Sequence, residues 1–218
     1  MLQLLLPERC AVCGRLVARL CDGCRDALVR LCEPLCERCG SPGPWPVRRC
    51  AECSGRRLAF VKARAAIVYD GRARVFVREW KERGRRRLAE QAAALVVEVV
   101  PRPDCDCLAY VPGDPERALE RGDIAPRGLA LALARAWELP AVEALRREHS
   151  LPRQRGLTLS ERRRNVRGAV SAMGSAQRFV ALVDDVYTSG ATADACATAL
   201  KRAGARRVEV VTLARAVR

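Results

Sequence analysis

Two adjacent aspartates, Asp184 and Asp185, follow the apolar run Phe179 to Val183 in the stretch FVALVDDVYTSGAT. Neighbouring carboxylates repel each other and are costly to remove from water. A loop of small residues, Thr188 to Thr192, comes directly after them and leads into a helical pattern. Amides at a helix start bind anions, and carboxylates accept hydrogen bonds from vicinal sugar hydroxyls. A ribose 5-phosphate has both features; the alternative is a solvated strand end or a helix cap.

Cysteine spacing indicates metal binding. Eight of the twelve cysteines form four CxxC pairs, which are Cys10/Cys13, Cys21/Cys24, Cys36/Cys39 and Cys50/Cys53. One pair presents two thiolates to a tetrahedral ion, and a second pair completes the shell. Disulfides are the alternative, disfavoured in a cytoplasmic chain because that compartment keeps thiols reduced. We predict two structural Zn²⁺ sites formed by successive pairs, with a cross-braced arrangement as the other topology.

The chain divides into two predicted parts. Residues 1–57 form a double zinc-ribbon module, because they contain too little apolar sequence to fold without metal. Residues 58–218 alternate strand and helix patterns, which is typical of an α/β domain with a mainly parallel sheet flanked by helices. In such sheets ligands bind beyond the carboxyl ends of the strands, where the two aspartates fall.

Individual elements follow from periodicity and from Gly and Pro positions. Strands are predicted in LAFVKARAAIVYDG, over Cys107 to Val111, over Phe179 to Val183 and in RRVEVVTLARAV. Helices are predicted in RDALVRL after Cys24, in ARVFVREWKERGRRRLAEQAAALVVEVV with a break around Gly84, in ERALERGDIAPRGLALALARAWEL, and in ATADACATALKRAG.

The net charge of +15 belongs mainly to the second part of the chain. Residues 1–60 hold ten Arg and six acidic residues, whereas residues 61–218 hold thirty Lys or Arg and nineteen acidic residues. Such a surplus favours anionic partners, either phosphates or nucleic acid. Apolar runs are too short for a membrane span, and the amino terminus lacks signal-peptide features, so we predict a cytoplasmic protein.

The stretch VALVDDVYTSGAT resembles the phosphoribosyl pyrophosphate (PRPP) signature of type I phosphoribosyltransferases. A generic Rossmann glycine loop fits worse, because it is richer in glycine and lacks the paired acids. The whole chain is similar to the ComF family of competence-associated phosphoribosyltransferase-like proteins. Beyond the CxxC pairs, this similarity is carried by YDG at Tyr69–Gly71, Lys81, YVPGDP at Tyr110–Pro115, Arg121–Gly122, Gln154, Leu157 and RRRNVRGA at Arg162–Ala169.

The resemblance implies a role for each part of the site. The 5-phosphate would be held by the loop Thr188, Ser189, Gly190, Ala191 and Thr192. Asp184 and Asp185, the catalytic candidates, would hold the ribose 2- and 3-hydroxyls directly or through Mg²⁺. Pyrophosphate would face Val111, Pro112, Gly113 and Asp114, with positive charge from Lys81, Arg117 or Arg121. This pyrophosphate region departs from the family pattern, since the chain has VPGDP and RGDIAPR there.

Three functional hypotheses follow from the resemblance and the charge. The first is phosphoribosyl transfer to or from an unidentified acceptor, a pentosyl-transferase reaction. The second is a single-stranded-DNA-binding accessory factor for DNA uptake that keeps the fold without turnover. In the third, the zinc module docks a DNA-uptake partner protein. Eight arginines between Arg146 and Arg167 fit either a solvated face or a functional surface.

Overall fold

The sheet that carries the aspartates is five-stranded and entirely parallel. The computed structural model describes residues 9–17, 19–113, 124–148 and 169–217. The sheet runs in the order β1-β7-β6-β2-β3, with strands β1 (Lys62–Val68), β2 (Cys107–Tyr110), β3 (Ala141–Val142), β6 (Phe179–Tyr187) and β7 (Arg207–Arg215). A separate antiparallel pair is formed by β4 (Leu145–Arg147) and β5 (Val170–Ala172).

Helices cover both faces of the sheet. They are α1 (Asp22–Asp26), α2 (Gly71–Lys81), α3 (Leu88–Val99), α4 (Ala125–Trp137) and α5 (Ala191–Arg202). Helices α2, α3 and α4 bury their apolar sides against one face, where Ala181 and Val183 point. Helix α5 packs on the other face, against Val180 and Leu182. Alternate side chains of β6 therefore pack into two separate cores, as expected for a strand covered on both sides.

Local sequence explains where these helices begin and break. The Asp70 carboxylate caps α2 by accepting a hydrogen bond from the Ala73 amide at 2.8 Å. Gly84 lies between α2 and α3 with φ of 63°, a backbone conformation that favours glycine. Pro126 occupies the first turn of α4, where its missing N–H costs nothing.

The zinc-ribbon residues contribute to both cores of the sheet domain. Cys10 and Leu28 are buried in the cluster that contains Trp80. Cys36 and Cys39, further along the chain, are buried in the other cluster beside Phe60. The ribbon thus gains apolar burial from the sheet domain in addition to whatever metal ligation supplies.

The predicted fold class is confirmed: a mainly parallel sheet is flanked by helices and preceded by a ribbon of paired cysteines. The helix break around Gly84 is also confirmed. The structure corrects three boundaries. Strand β6 continues to Tyr187 because it pairs with β7 as far as Arg215. Strand β2 ends at Tyr110 rather than Val111, and the helix near Cys24 spans Asp22–Asp26 instead of the residues that follow.

None of the helices in the described ranges combines the length and apolarity needed to cross a membrane.

Candidate functional site

The carboxyl ends of β6 and β2 lie side by side. Tyr110 pairs with Val183, and the Val111 amide donates a hydrogen bond to the Val183 carbonyl at 2.9 Å. The turn that begins at Val111 therefore lies next to Asp184. A side chain at Gly113 would collide with Ile124, since a Cβ there would lie 2.2 Å from Ile124 Cγ2. The parallel register thus brings the two predicted halves of the site together.

The paired carboxylates have different surroundings. Asp185 is only 3% exposed, and the Lys81 ammonium from the last turn of α2 forms an ion pair with its Oδ2. This Oδ2 lacks a hydrogen-bond donor of good geometry among the described residues. Asp184 is half-buried, and its Oδ1 accepts a hydrogen bond from the Asp185 amide at 2.8 Å. Buried carboxylate oxygen with spare acceptor capacity suits a hydroxyl or a hard cation.

Burial and mutual repulsion control the ionisation of this pair. Burial, followed by the charge of Asp185, raises the pKa of Asp184 to about 7, although Lys81 and Arg147 oppose the shift. For Lys81 burial works against the charge, but Asp185 and Asp184 outweigh it and hold the Lys81 pKa above its ordinary value. Lys81 therefore stays protonated and offsets part of the carboxylate charge, while Asp184 titrates near neutral pH.

The loop after β6 turns at a glycine directly before a helix. Gly190 adopts φ of 70° and forms the start of α5, a helix of 12 residues. A Cβ at this position would lie 2.2 Å from the Tyr187 hydroxyl oxygen, so both the conformation and the space require glycine. The Ser189 hydroxyl accepts a hydrogen bond from the Ala191 amide at 3.3 Å. The dipole of α5 makes this end favourable for negative charge.

Arg147 also reaches the site, from strand β4. Its Nη2 donates to the Pro112 carbonyl at 3.4 Å, within the turn predicted to face pyrophosphate. Its Nε is buried and has no hydrogen-bond partner among the described residues. The sequence placed Arg147 only within a group of arginines, because its position depends on the pairing of β4 with β5.

The eight CxxC sulfurs form two clusters, within each of which all sulfurs lie inside 4.8 Å of one another. We call Cys10, Cys13, Cys21 and Cys24 the first zinc site, and Cys36, Cys39, Cys50 and Cys53 the second zinc site. Two sulfur separations in the second site are 3.4 Å and 3.6 Å, and one in the first is 3.7 Å. Four sulfurs at about 2.3 Å from Zn²⁺ lie about 3.8 Å apart. Both clusters fit zinc, and the predicted sequential pairing is confirmed.

Backbone amides donate hydrogen bonds to one cysteine sulfur in each cluster. The amides of Val12 and Cys21 donate to the Cys10 sulfur, both at 3.5 Å, and the Cys50 amide donates to Cys36 at 3.3 Å. Burial disfavours the thiolates, but the backbone hydrogen bonds outweigh it and lower the pKa of Cys10 to about 6 and that of Cys36 to about 7. All twelve cysteines are free of disulfides.

The structure brings together most of the predicted ligand-site residues. Asp184, Asp185, Lys81, the turn 111–113 and the loop 188–192 meet at one edge of the sheet. Asp114, Arg117, Arg121, Gln154 and Arg162 lie outside the described residues. Sequence reasoning missed Arg56, which binds the Ser189 carbonyl, and the contact between Arg215 and the Tyr187 ring. The first depends on how the ribbon packs on the sheet and the second on the pairing of β6 with β7, and no local pattern reveals either.

Comparisons with known proteins support the sequence-based resemblance. A family model described as a double zinc ribbon domain matches residues 1–56, next to the domain boundary proposed at residue 57. Competence protein F of Haemophilus influenzae is 28% identical over 210 residues, covering 90% of each chain. DNA utilization protein YhgH of Salmonella typhi is 28% identical over 230 residues, covering 97% of this chain and 99% of that protein. The chain is homologous to these proteins over most of its length, which confirms the predicted ComF resemblance.

Two solved structures are similar to part of this chain. Glutamine PRPP amidotransferase from B. subtilis, complexed with ADP and GMP, has 23% identity and a TM-score of 0.37. The allosteric regulatory enzyme of purine biosynthesis has 25% identity and a TM-score of 0.38. Each likeness covers 59% of this chain but only 26% and 25%, respectively, of the solved chains.

Proposed function

We propose that this chain is a phosphoribosyltransferase-type protein that binds PRPP, or another ribose 5-phosphate ligand, together with Mg²⁺ at the carboxyl end of β6. One observation carries the proposal. The buried Asp185 carboxylate, paired with Lys81, lies beside Asp184 at the end of β6, and a helix that starts at a glycine with positive φ follows directly. Acidic acceptors next to an anion-binding loop suit a ligand with hydroxyls at one end and a phosphate at the other.

Each end of the ligand has its own set of residues in this proposal. The amides of the loop 188–192 hold the 5-phosphate, and the two carboxylates hold the ribose hydroxyls directly or through Mg²⁺. Mg²⁺ prefers carboxylate oxygen and phosphate ligands, so the residues present fit that ion. Arg147 and Lys81 bring positive charge to the side of the turn 111–113, where pyrophosphate would lie.

The chemistry that fits this site is displacement at the anomeric carbon. Its oxocarbenium-like transition state needs positioning and charge stabilisation more than a protein nucleophile. The acceptor of the phosphoribosyl group remains unidentified in this proposal. We further propose that the protein works in the cytoplasm, where reduced thiols stay available to zinc.

Calorimetric titration with Mg²⁺ and PRPP tests the assignment. Wild-type protein should show saturable binding, whereas Asp184→Asn and Asp185→Asn should each weaken it by at least about a hundredfold, since a charged acceptor for hydroxyl or metal is lost. Asp104→Asn is the matched control, because it removes one negative charge from a side chain that is 92% exposed. Unchanged affinity in both Asp184→Asn and Asp185→Asn would overturn the proposal.

The same titration has a pH dependence of defined sign. With a pKa of about 7, Asp184 is largely protonated below neutral pH and must lose its proton to hold Mg²⁺. Affinity should therefore rise from about pH 6 to about pH 8, with proton release near neutral pH, and Asp184→Asn should remove that rise. Asp185, Lys81 and Arg147 are the charged groups that set this pKa.

A basic groove favours single-stranded DNA binding as a second candidate function. A cavity of about 720 Å³ lies at the amino ends of β1 and β7, and its lining includes two glutamates and six basic residues, which are Arg38, Arg48, Arg49, Lys62, Arg64 and Arg207. Arg48 and Arg49 are exposed there. This groove is at the opposite edge of the sheet from the aspartates, so the two functions can be tested separately.

Fluorescence anisotropy with a labelled single-stranded oligonucleotide tests the second candidate. The double variant Arg48→Ala/Arg49→Ala should weaken binding and reduce the salt slope by about 1.4, because each phosphate contact contributes about 0.7 on a single strand. Asp185→Asn should leave DNA binding intact, because the aspartates lie at the other end of the strands. Equal DNA affinity in wild type and the double variant would exclude the groove as the DNA-binding surface.

A further inference from the structure

The second zinc site lies against the loop proposed to hold phosphate. Arg56, three residues after Cys53, donates a hydrogen bond from Nη1 to the Ser189 carbonyl at 2.8 Å. The Ala59 amide donates to Asp194 Oδ1 at 2.7 Å. Ser189 precedes α5 and Asp194 lies in its first turn, so the segment from Arg56 to Ala59 contacts the helix start at two points.

Hydrogen bonds attach Arg56 to the CxxC turn of the second zinc site. Its backbone amide donates to the Cys53 carbonyl at 3.2 Å, and its own carbonyl accepts from Arg49 at 3.3 Å. The Cys53 amide in turn donates to the Cys50 carbonyl at 3.1 Å, within the CxxC turn. Arg56 is therefore fixed to a turn whose conformation depends on metal, because CxxC geometry in small ribbons is stabilised by zinc binding.

Arg215 forms a second connection between zinc site and loop. Its side chain is 1% exposed, and its guanidinium donates to the Cys39 carbonyl at 2.6 Å and to Glu52 at 2.7 Å. The same guanidinium lies over the Tyr187 ring, 4.6 Å from its centroid. The Tyr187 hydroxyl occupies the space beneath Gly190. Arg215 thus links a zinc ligand to the residue on which the loop rests.

We propose that the second zinc ribbon is part of the ligand site, with Arg56 as a positioning residue for a sugar phosphate. Arg56 fixes the Ser189 carbonyl and brings a positive charge to the phosphate end of the pocket. A guanidinium has five N–H donors and pairs well with phosphate, and the bond to Ser189 engages one of them. This inference rests on the proposed function and adds that zinc in the second site controls phosphate affinity.

Binding of ribose 5-phosphate and of inorganic phosphate by the full zinc-loaded chain tests this role. Arg56→Ala should weaken both by about tenfold or more, because a charge-assisted contact to the loop and its positive charge are lost. Arg56→Lys should recover part of the affinity through charge alone. Arg57→Ala is the matched control, since Arg57 is its exposed neighbour. Zinc content should stay at two ions in all variants, and Mg²⁺ binding at the aspartates should not change.

Three outcomes would overturn the inference. Wild-type affinity in Arg56→Ala would show that the loop does not need this residue. An equal loss of phosphate affinity in Arg57→Ala would show that the effect comes from general surface charge and not from the position of Arg56. Loss of Mg²⁺ binding together with phosphate binding in Arg56→Ala would show that Arg56 supports the whole site and not the phosphate end. If wild-type protein binds neither ribose 5-phosphate nor PRPP, the proposed function itself fails, and that result is distinct from a failure of Arg56 alone.

Discussion

The two zinc sites have the same cysteine spacing within each pair but occupy opposite faces of the sheet domain. The first site packs into the core under α2 and α3, where Cys10 and Leu28 are buried beside Trp80. The second site packs into the core under α5, and Arg56 and Arg215 connect it to the loop after β6. A repeated metal motif thus supports a helical face at one position and a ligand site at the other.

Ion pairs around the two sites differ in the same way. Near the first site, Arg19 pairs with Glu90 at 2.6 Å, and the two side chains are 34% and 52% exposed. Near the second site, Arg215 pairs with Glu52 at 2.7 Å, with exposures of 1% and 25%. Exposed pairs contribute little because water and salt screen them, whereas removing one partner of a buried pair leaves an uncompensated charge. Of these two pairs, the one beside the second site is therefore expected to contribute more to the attachment of its ribbon.

Loss of one zinc site at a time is the strongest test of this contrast. Cys50→Ala and Cys13→Ala should each lower the zinc content from two ions to one, because three thiolates no longer complete a tetrahedral shell. Cys50→Ala should also weaken ribose 5-phosphate binding by more than about tenfold, whereas Cys13→Ala should change it by less than about twofold. Metal analysis and calorimetry on the folded fraction provide the measurements.

Each variant serves as the control for the other, because each removes one thiolate from one tetrad. Equal affinity losses in Cys13→Ala and Cys50→Ala would mean that zinc supports the whole chain uniformly. An unchanged affinity in Cys50→Ala with one zinc lost would separate the second site from the ligand loop altogether.

Much of this fold was accessible from the sequence. The spacing of apolar residues and the positions of glycine located α2, α3 and α5, since the break at Gly84 and the helix end near Gly204 are local signals. The end of β6 was not accessible in this way. Its continuation through Asp184 to Tyr187 depends on pairing with β7, and long-range pairing leaves no local signature when the strand carries two carboxylates.

The candidate site likewise contains residues that local sequence predicts and residues that only the tertiary structure brings in. The aspartates and the loop were predicted because acidic pairs and small-residue helix starts have a chemical meaning within a few residues. Arg56 and Arg215 were not predicted. Arg56 lies 133 residues from Ser189, whose carbonyl it binds, and Arg215 lies 28 residues from Tyr187, whose ring it covers. Their role depends on the position of the ribbon against the sheet, which only the tertiary structure specifies.

Replacement of one arginine beside each zinc site should have a smaller effect, and it measures directly how strongly the ion pair at each site stabilises the protein. Arg215→Met should lower the free energy of unfolding by about 3 kcal/mol, because Glu52 and the Cys39 carbonyl lose a buried partner. Arg19→Met should lower it by less than about 1 kcal/mol, because its pair with Glu90 is exposed. Urea unfolding of zinc-loaded protein measures both. Added salt should reduce the Arg19 effect further and leave the Arg215 effect nearly unchanged, since buried pairs are screened much less. Similar costs for the two variants would remove the energetic basis for treating the second ribbon as part of the ligand site.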